Sequence, residues 1–382
     1  MIKATAFQME TVKVACHALR NPSGSRRFLV ADEAGLGKTV VAQRIIEEFS
    51  SQIGLRSKRA SRVMNVIYVC SNLAIARQNQ DRLLGFLSKA GREAAIVEED
   101  RLSLTLLPQR SKNALQVSVR LYAVTPKTSL LDSSSRDKGA GGTTKERALC
   151  YILTRLALGF EIKGLRKALA LRVSVARFRI DIRAIERAIE EDSNDLPSEI
   201  VEEFKKTLRR SLSLSAKQRL APRIKQLLDG RISELVRHMR LALANVAISR
   251  INPDLVIFDE FQRFDDLIAP ESNSSTVEAD DDDAAGFREE AGRLLQSLRG
   301  SGRNRALLLL SATPWIPYRS RAEINPKSRN SNDGFREVIK FLYGSAGRAE
   351  VDKITALLLQ RRSLLIASPL NWDGIDRNHE SC

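Results

Sequence analysis

The sequence predicts an α/β fold, a parallel doubly wound sheet interrupted by a helical insertion. Three observations carry that expectation. Short apolar runs at 28–30, 66–70, 121–124, 255–258 and 307–310 each suit one buried strand. Each run ends in a small, polar or glycine-bearing turn, which is where doubly wound sheets place their ligand-contacting loops. From Lys145 to about residue 247 this alternation of strand and helix stops, and only helical spacing is found.

Residues 1–20 have the spacing of a helix carrying Phe7, Val12, Val14 and Leu19. The strand at 28–30 feeds Asp32-Glu33-Ala34-Gly35-Leu36-Gly37-Lys38-Thr39, and helical spacing begins with Val40, Val41, Ile45 and Ile46. Backbone N–H groups of the turn and of the helix N-terminus then face one point, which suits an anion. Gly35 and Gly37 let the backbone approach a phosphate, Lys38 supplies positive charge for the β and γ phosphates, and the Thr39 hydroxyl can ligate Mg²⁺. In the general pattern G-x-x-x-x-G-K-[ST] the first glycine would fall at position 32, which is Asp32 here.

The run at 66–70 ends in Ser71-Asn72 and leads to a helix over 73–84. The run at 121–124 ends in Thr125-Pro126-Lys127-Thr128-Ser129, whose hydroxyls and N–H groups can grip a phosphate without reading a base. Residues 133–144 read as a flexible linker. Beyond it, Leu171, Val175, Phe178, Ile182, Ile185 and Ile189 form one apolar seam along a long helix. A break at 194–197 precedes a second helix on Ile200, Phe204 and Leu208, and a third carries Leu220, Ile224, Leu228, Leu235 and Met239. The run at 255–258 ends in Asp259-Glu260-Phe261-Gln262 and the run at 307–310 in Ser311-Ala312-Thr313. Between them, the four carboxylates at 280–283 lack the alternation of an EF-hand and read as a solvated loop. Helical spacing returns at 335–344 and 350–362.

At 382 residues, with 28% charged and 43% apolar residues, the composition is that of a globular protein with two structural units. Net charge is +16, which points to a polyanionic partner. Residues 145–250 hold 23 Lys/Arg and 13 Asp/Glu, so +10 of that charge lies in the insertion. Lys205, Lys206, Arg209 and Arg210 are its densest group, read either as solvated helix faces or as a nucleic-acid surface. No apolar run approaches the ~20 residues of a membrane helix, so the cytoplasm is the expected location. The four Cys and three His show no zinc or disulfide spacing.

The order Gln8, D-E-A-G-L-G-K-T, D-E-F-Q and S-A-T resembles the first motor lobe of superfamily 2 helicases. It is most similar to the Swi/Snf-type double-stranded DNA translocases, which also replace the first glycine with Asp. The resemblance covers about residues 1–135 and 245–345. It implies a RecA-like P-loop sheet, ATP and Mg²⁺ as cofactors, and nucleic acid, double-stranded DNA, as partner. On the same resemblance Gln8 reads adenine, residues 32–39 hold the phosphates with Lys38 central, Thr39 and Asp259 hold Mg²⁺, and Glu260 polarises the attacking water. Gln262, Ser311, Ala312 and Thr313 would couple hydrolysis to lobe movement. Ser71 and Asn72, which stand where the family usually has a proline, and Thr128 and Ser129 would touch the nucleic-acid backbone.

The expected organisation is 1–135 and 248–345 as the two parts of the lobe, 136–247 as the basic insertion, and 346–382 as a C-terminal helix and tail. A second lobe does not fit in that last stretch, so the arginines that close on the γ-phosphate are expected from a lobe or subunit elsewhere. Two other classes stay open: a nucleotide-binding regulatory protein without hydrolysis, and a nucleic-acid-binding module built on the insertion.

Overall fold

The computed structural model describes residues 4–32, 35–56, 63–87, 93–97, 101–107, 117–125, 142–191, 198–261, 305–312, 338–344, 349–350, 352–353 and 356–357. Residues 1–316 form one compact unit and residues 317–382 a second. Among its described residues the first unit holds six strands: β1 (Arg27–Ala31), β2 (Met64–Val69), β3 (Glu93–Val97), β4 (Val117–Val124), β5 (Leu255–Phe258) and β6 (Ala306–Ser311). Their order is β1-β6-β5-β2-β4-β3, and every neighbouring pair is parallel. A parallel strand covered on both faces needs apolar residues at nearly every position. The runs supply them, and all of β5 and β6 is buried.

Register then decides where the turns emerge. Ala31 pairs with Ser311, Leu309 with Phe258, Phe258 with Val69, and Val69 with Val124. The segments following β1, β6, β5, β2 and β4 therefore leave from one carboxyl edge.

Three helices pack against this sheet: α1 (Ala6–Arg20), α2 (Lys38–Arg56) and α3 (Leu73–Leu84). Val12, Leu19, Ile45, Ile46, Ala76 and Leu83 join Val66, Tyr68, Leu121, Ile257, Leu308 and Leu310 in one core cluster. Alternate strand residues such as Ile67, Val69, Val256 and Phe258 are equally buried, so the other face is covered too.

Among the described residues between β4 and β5 the elements are helices: α4 (Thr144–Leu158), α5 (Leu165–Ala170), α6 (Val175–Glu191), α7 (Ser198–Ser211), α8 (Leu220–Leu228) and α9 (Ile232–Ile251). Apolar seams of α6 (Phe178, Ile182, Ile185, Ile189) and α7 (Ile200, Phe204, Leu208) are buried, and residues 148–153 of α4 are buried without interruption. Leu171 does not belong to the α6 seam. It ends α5 in the left-handed region at φ 51 and is 40% exposed. The third expected helix is two, because Asp229, Gly230 and Arg231 separate α8 from α9. At the expected linker, residues 133–141 lie outside the described residues, while Thr143 already caps α4 in a capping box with Glu146.

Both ends of this helical segment are tied to the sheet-bearing part. Glu146 is 1% exposed and accepts from Ser103 Oγ at 2.6 Å and Arg101 Nη1 at 2.9 Å, with Arg240 Nη2 at 3.6 Å. Burial by itself would raise the Glu146 carboxyl's pKa. The Arg240 and Arg101 guanidiniums and the donors from Ser103 and Thr143 outweigh it and hold the group below the usual glutamate range. At the far end, Asn65 donates its side-chain amide to the Ile251 carbonyl at 2.7 Å and exchanges two further bonds with Asp254 at 3.0 and 2.8 Å. In the second unit, residues 338–343 form a short helix that ends at Gly344 with φ 65. Among the described residues no helix is long and apolar enough to cross a membrane.

Candidate active site

The loop after β1 is shaped for an anion. Gly35 and Gly37 have φ values of 90 and 83, a region that L side chains rarely adopt, and α2 begins at Lys38 directly behind them. The Gly37 carbonyl accepts from Val40 N–H at 2.8 Å and Val41 N–H at 3.2 Å, which fixes the first helical turn. Lys38 Nζ donates across the loop to the Asp32 carbonyl at 2.9 Å, placing the ammonium beside the end of β1. Thr39 follows within the same turn. Glu33 and Ala34 lie outside the described residues.

Gln8 is connected to this loop across 28 residues of sequence. Its Oε1 accepts from Thr5 N–H at 2.9 Å, and its Nε2 donates to the Leu36 carbonyl at 2.8 Å. A Cβ on Gly37 would stand 2.6 Å from that same Nε2. The amide is thus both the N3 half of the capping box of α1, whose N-cap is Thr5, and a staple on the phosphate loop. One N–H and one carbonyl lone pair are left for a base edge.

Asp259 and Glu260 leave the end of β5, two strand positions from β1 with β6 between them. Strands lie about 4.8 Å apart, so the carboxylates originate about 10 Å from the end of β1. That gap is suited to phosphates and one cation. Asp259 is held by the neighbouring strand: Tyr68 Oη donates to its Oδ2, and Asn79 Nδ2 donates to Tyr68 Oη at 2.9 Å and to Asp259 Oδ2 at 3.4 Å. Desolvation first, and the Asp259 charge second, push the Tyr68 hydroxyl far above its ordinary pKa, so it stays a donor. Glu260 has φ 54, donates its N–H to Asp259 Oδ1 at 2.9 Å, and accepts at Oε2 from Ser71 Oγ.

The structure brings Gln8, Asp32, Leu36, Gly35, Gly37, Lys38 and Thr39 together, and sets Asp259 and Glu260 on the same edge. Ser311, fully buried, pairs with Ala31 at the entry to the phosphate loop, and Ala312 is half-buried beside it. Gln262, Thr313, Thr128 and Ser129 lie outside the described residues. Asn72 caps α3 by accepting from Ala74 N–H at 2.8 Å. Lys205 pairs with Glu202 at 3.5 Å, and Arg209 donates to the Ser215 carbonyl at 2.7 Å, whereas Lys206 and Arg210 are exposed.

Tyr68 and Asn79 were not found by sequence reasoning, because nothing in a strand tyrosine or a helical asparagine announces a carboxylate partner. Arg179, Arg183 and Arg187 recur at steps of four on the exposed side of α6, opposite its apolar seam. Like charges so placed repel one another.

The donor set suits Mg²⁺. Among the described residues no cluster of three His, Cys, Asp or Glu could hold a metal on its own. Mg²⁺ commonly takes one carboxylate and a hydroxyl, with substrate phosphates and water completing the shell, and Thr39 and Asp259 are of that kind.

Residues 1–133 match the family described as type III restriction enzyme, res subunit. No curated protein and no solved structure matches the chain. The matched stretch holds Gln8, the phosphate loop, Ser71 and Asn72, and stops before the insertion and the two carboxylates. Over it, the chain is similar to a superfamily 2 helicase-like ATP-binding domain, of the P-loop NTPase class to which the observed α/β sheet conforms.

Proposed function

We propose that this chain is the ATP-binding, Mg²⁺-dependent first lobe of a DNA-directed superfamily 2 ATPase, acting in the cytoplasm. The carrying observation is the common carboxyl edge, where the phosphate loop after β1 and Asp259-Glu260 after β5 flank β6. Gln8 takes the adenine edge with its remaining donor and acceptor, Lys38 leaves the Asp32 carbonyl for the β and γ phosphates, and Thr39 and Asp259 hold the cation. When bound, Mg²⁺ neutralises charge on the phosphate oxygens. Glu260 polarises the attacking water, and Ser311, Ala312, Thr313 and Gln262 relay the change toward a second lobe or subunit that supplies the closing arginine. The motif order favours a Swi/Snf-type translocase on double-stranded DNA. Ser71, Asn72, Thr128 and Ser129 and the basic insertion are the surfaces for its backbone.

A second reading is a nucleotide-binding module with little hydrolysis. It is favoured by the state of the carboxylates, since Asp259 and Glu260 are both engaged by the β2 side of the sheet. Turnover with and without duplex DNA separates the two. On the first reading, turnover by this chain alone is slow because the closing arginine comes from elsewhere, duplex raises it, and Glu260→Gln binds ATP as wild type does yet hydrolyses at least ten-fold more slowly, about 1.4 kcal/mol of lost barrier lowering. Equal turnover in wild type and Glu260→Gln, with or without duplex, would favour the second.

A further inference from the structure

We propose that the Ser71 hydroxyl is a one-proton switch, given either to Glu260 or to a nucleic-acid phosphate, so that duplex on the turn after β2 releases Glu260 for hydrolysis. This inference rests on the functional reading above. Ser71 Oγ donates to Glu260 Oε2. A serine hydroxyl has a single proton to donate, so the donor that serves Glu260 is not simultaneously available to a phosphate oxygen. Ser71 stands two residues beyond β2, beside the exposed Asn72, in the turn whose place in the motif order is that of a backbone contact.

Topology gives the contact its direction. In the order β1-β6-β5-β2, Ser71 follows the strand on the far side of β5 from β1. A carboxylate tied to Ser71 is therefore drawn away from the phosphate loop. Glu260 also has left-handed backbone, at φ 54, a conformation that persists in a residue other than glycine only where its surroundings over-determine it. Asp259 is held differently, by Tyr68 within β2 and Asn79 within α3. Displacing the Ser71 proton would thus remove this one hold on Glu260 while leaving the cation-holding carboxylate in place. The two ligands are linked, so the coupling is reciprocal: whatever releases Glu260 also strengthens the turn's hold on phosphate.

The test is a double-mutant cycle on the full chain, with a short blunt-ended DNA duplex as probe and no nucleotide present. Glu260→Ala removes the competitor and should tighten duplex binding by roughly five-fold or more, the lower range of coupling between linked sites. In the Ser71→Ala background the same change should act only through its charge and tighten binding much less. With ATP, Ser71→Ala should raise duplex-free turnover and lower the stimulation by duplex, while ATP affinity is unchanged and Ser71→Thr, which keeps the hydroxyl, behaves as wild type. The proposal is overturned if Glu260→Ala acts equally in both backgrounds, since charge alone then explains it, or if Ser71→Ala leaves duplex-free turnover unaltered. A wild-type chain that binds neither Mg·ATP nor duplex would instead remove the functional reading, and this inference with it.

Discussion

Gly37 is the tighter of the two glycines in the phosphate loop. A residue other than glycine at its φ of 83 carries a strain of about 1–3 kcal/mol, and the same holds for Gly35 at 90. They differ in surroundings. A Cβ at Gly35 meets nothing within 4 Å, whereas one at Gly37 meets Gln8 Nε2 at 2.6 Å. Gln8 cannot swing aside without breaking its bonds to Leu36 and Thr5. Gly37→Ala should therefore unfold at lower urea concentration than Gly35→Ala, and adding Gln8→Ala to it should restore part of the loss. Matching urea midpoints for the two single variants would contradict the described contact. The loop itself was legible because its residues are contiguous and their chemistry is local. The partners of Asp259 and Glu260 were not, because Tyr68, Ser71 and Asn79 reach them only through the pairing of Val69 with Phe258, across nearly half the chain.

Helices α4 to α9 show what elements add to residues. The seams of α6 and α7 were legible from spacing alone, since long amphipathic helices repeat their signal several times. β3 and the 3₁₀ turn Leu102–Leu106 were not, because five residues hold too little periodicity and Glu93-Ala-Ala is a poor strand opening. Glu146 was equally silent. It reads as an ordinary capping-box glutamate, yet it joins α4 to Arg101, Ser103 and Arg240 in a buried cluster. Removing one partner of such a cluster leaves uncompensated buried charge and costs about 3–5 kcal/mol, so Glu146→Gln should be strongly destabilised at neutral pH. The pH dependence has a definite sign. A carboxyl whose folded pKa is depressed contributes fully above its ordinary value of 4.5 and loses that contribution as pH falls through the folded value. The urea-midpoint gap between wild type and Glu146→Gln should be constant near neutrality and shrink below pH 4.5. An unchanged gap at pH 3 would show that the charge on Glu146 is not what stabilises the junction.

Across the whole molecule, positive charge is concentrated in the insertion. The insertion carries +10 of the +16, but the structure sorts those charges by availability. Lys205 and Arg209 are engaged within their own helix and its following turn, while Lys206 and Arg210 are exposed, as are Arg179, Arg183 and Arg187 on α6. Each cation that neutralises a duplex phosphate contributes roughly 0.9 to the log–log salt slope. Replacing Lys206 and Arg210 together by Ala should flatten the slope of duplex binding by up to about 1.8 units. Replacing Lys205 and Arg209 should change it less, and the opposite ranking would contradict the assignment of free and engaged charges. The parallel sheet was legible from five apolar runs, while its strand order, which sets β6 between the phosphate loop and the carboxylates, was not, because order depends on crossovers that no local pattern encodes. Whether that edge binds nucleotide is decided by titration calorimetry of Mg·ATP into wild type and Lys38→Ala. Wild type should show saturable one-to-one binding, Lys38→Ala a loss of affinity of at least a hundred-fold, about 2.7 kcal/mol, and both the same melting temperature in the absence of nucleotide. Equal affinity in the two proteins would contradict nucleotide binding at that edge.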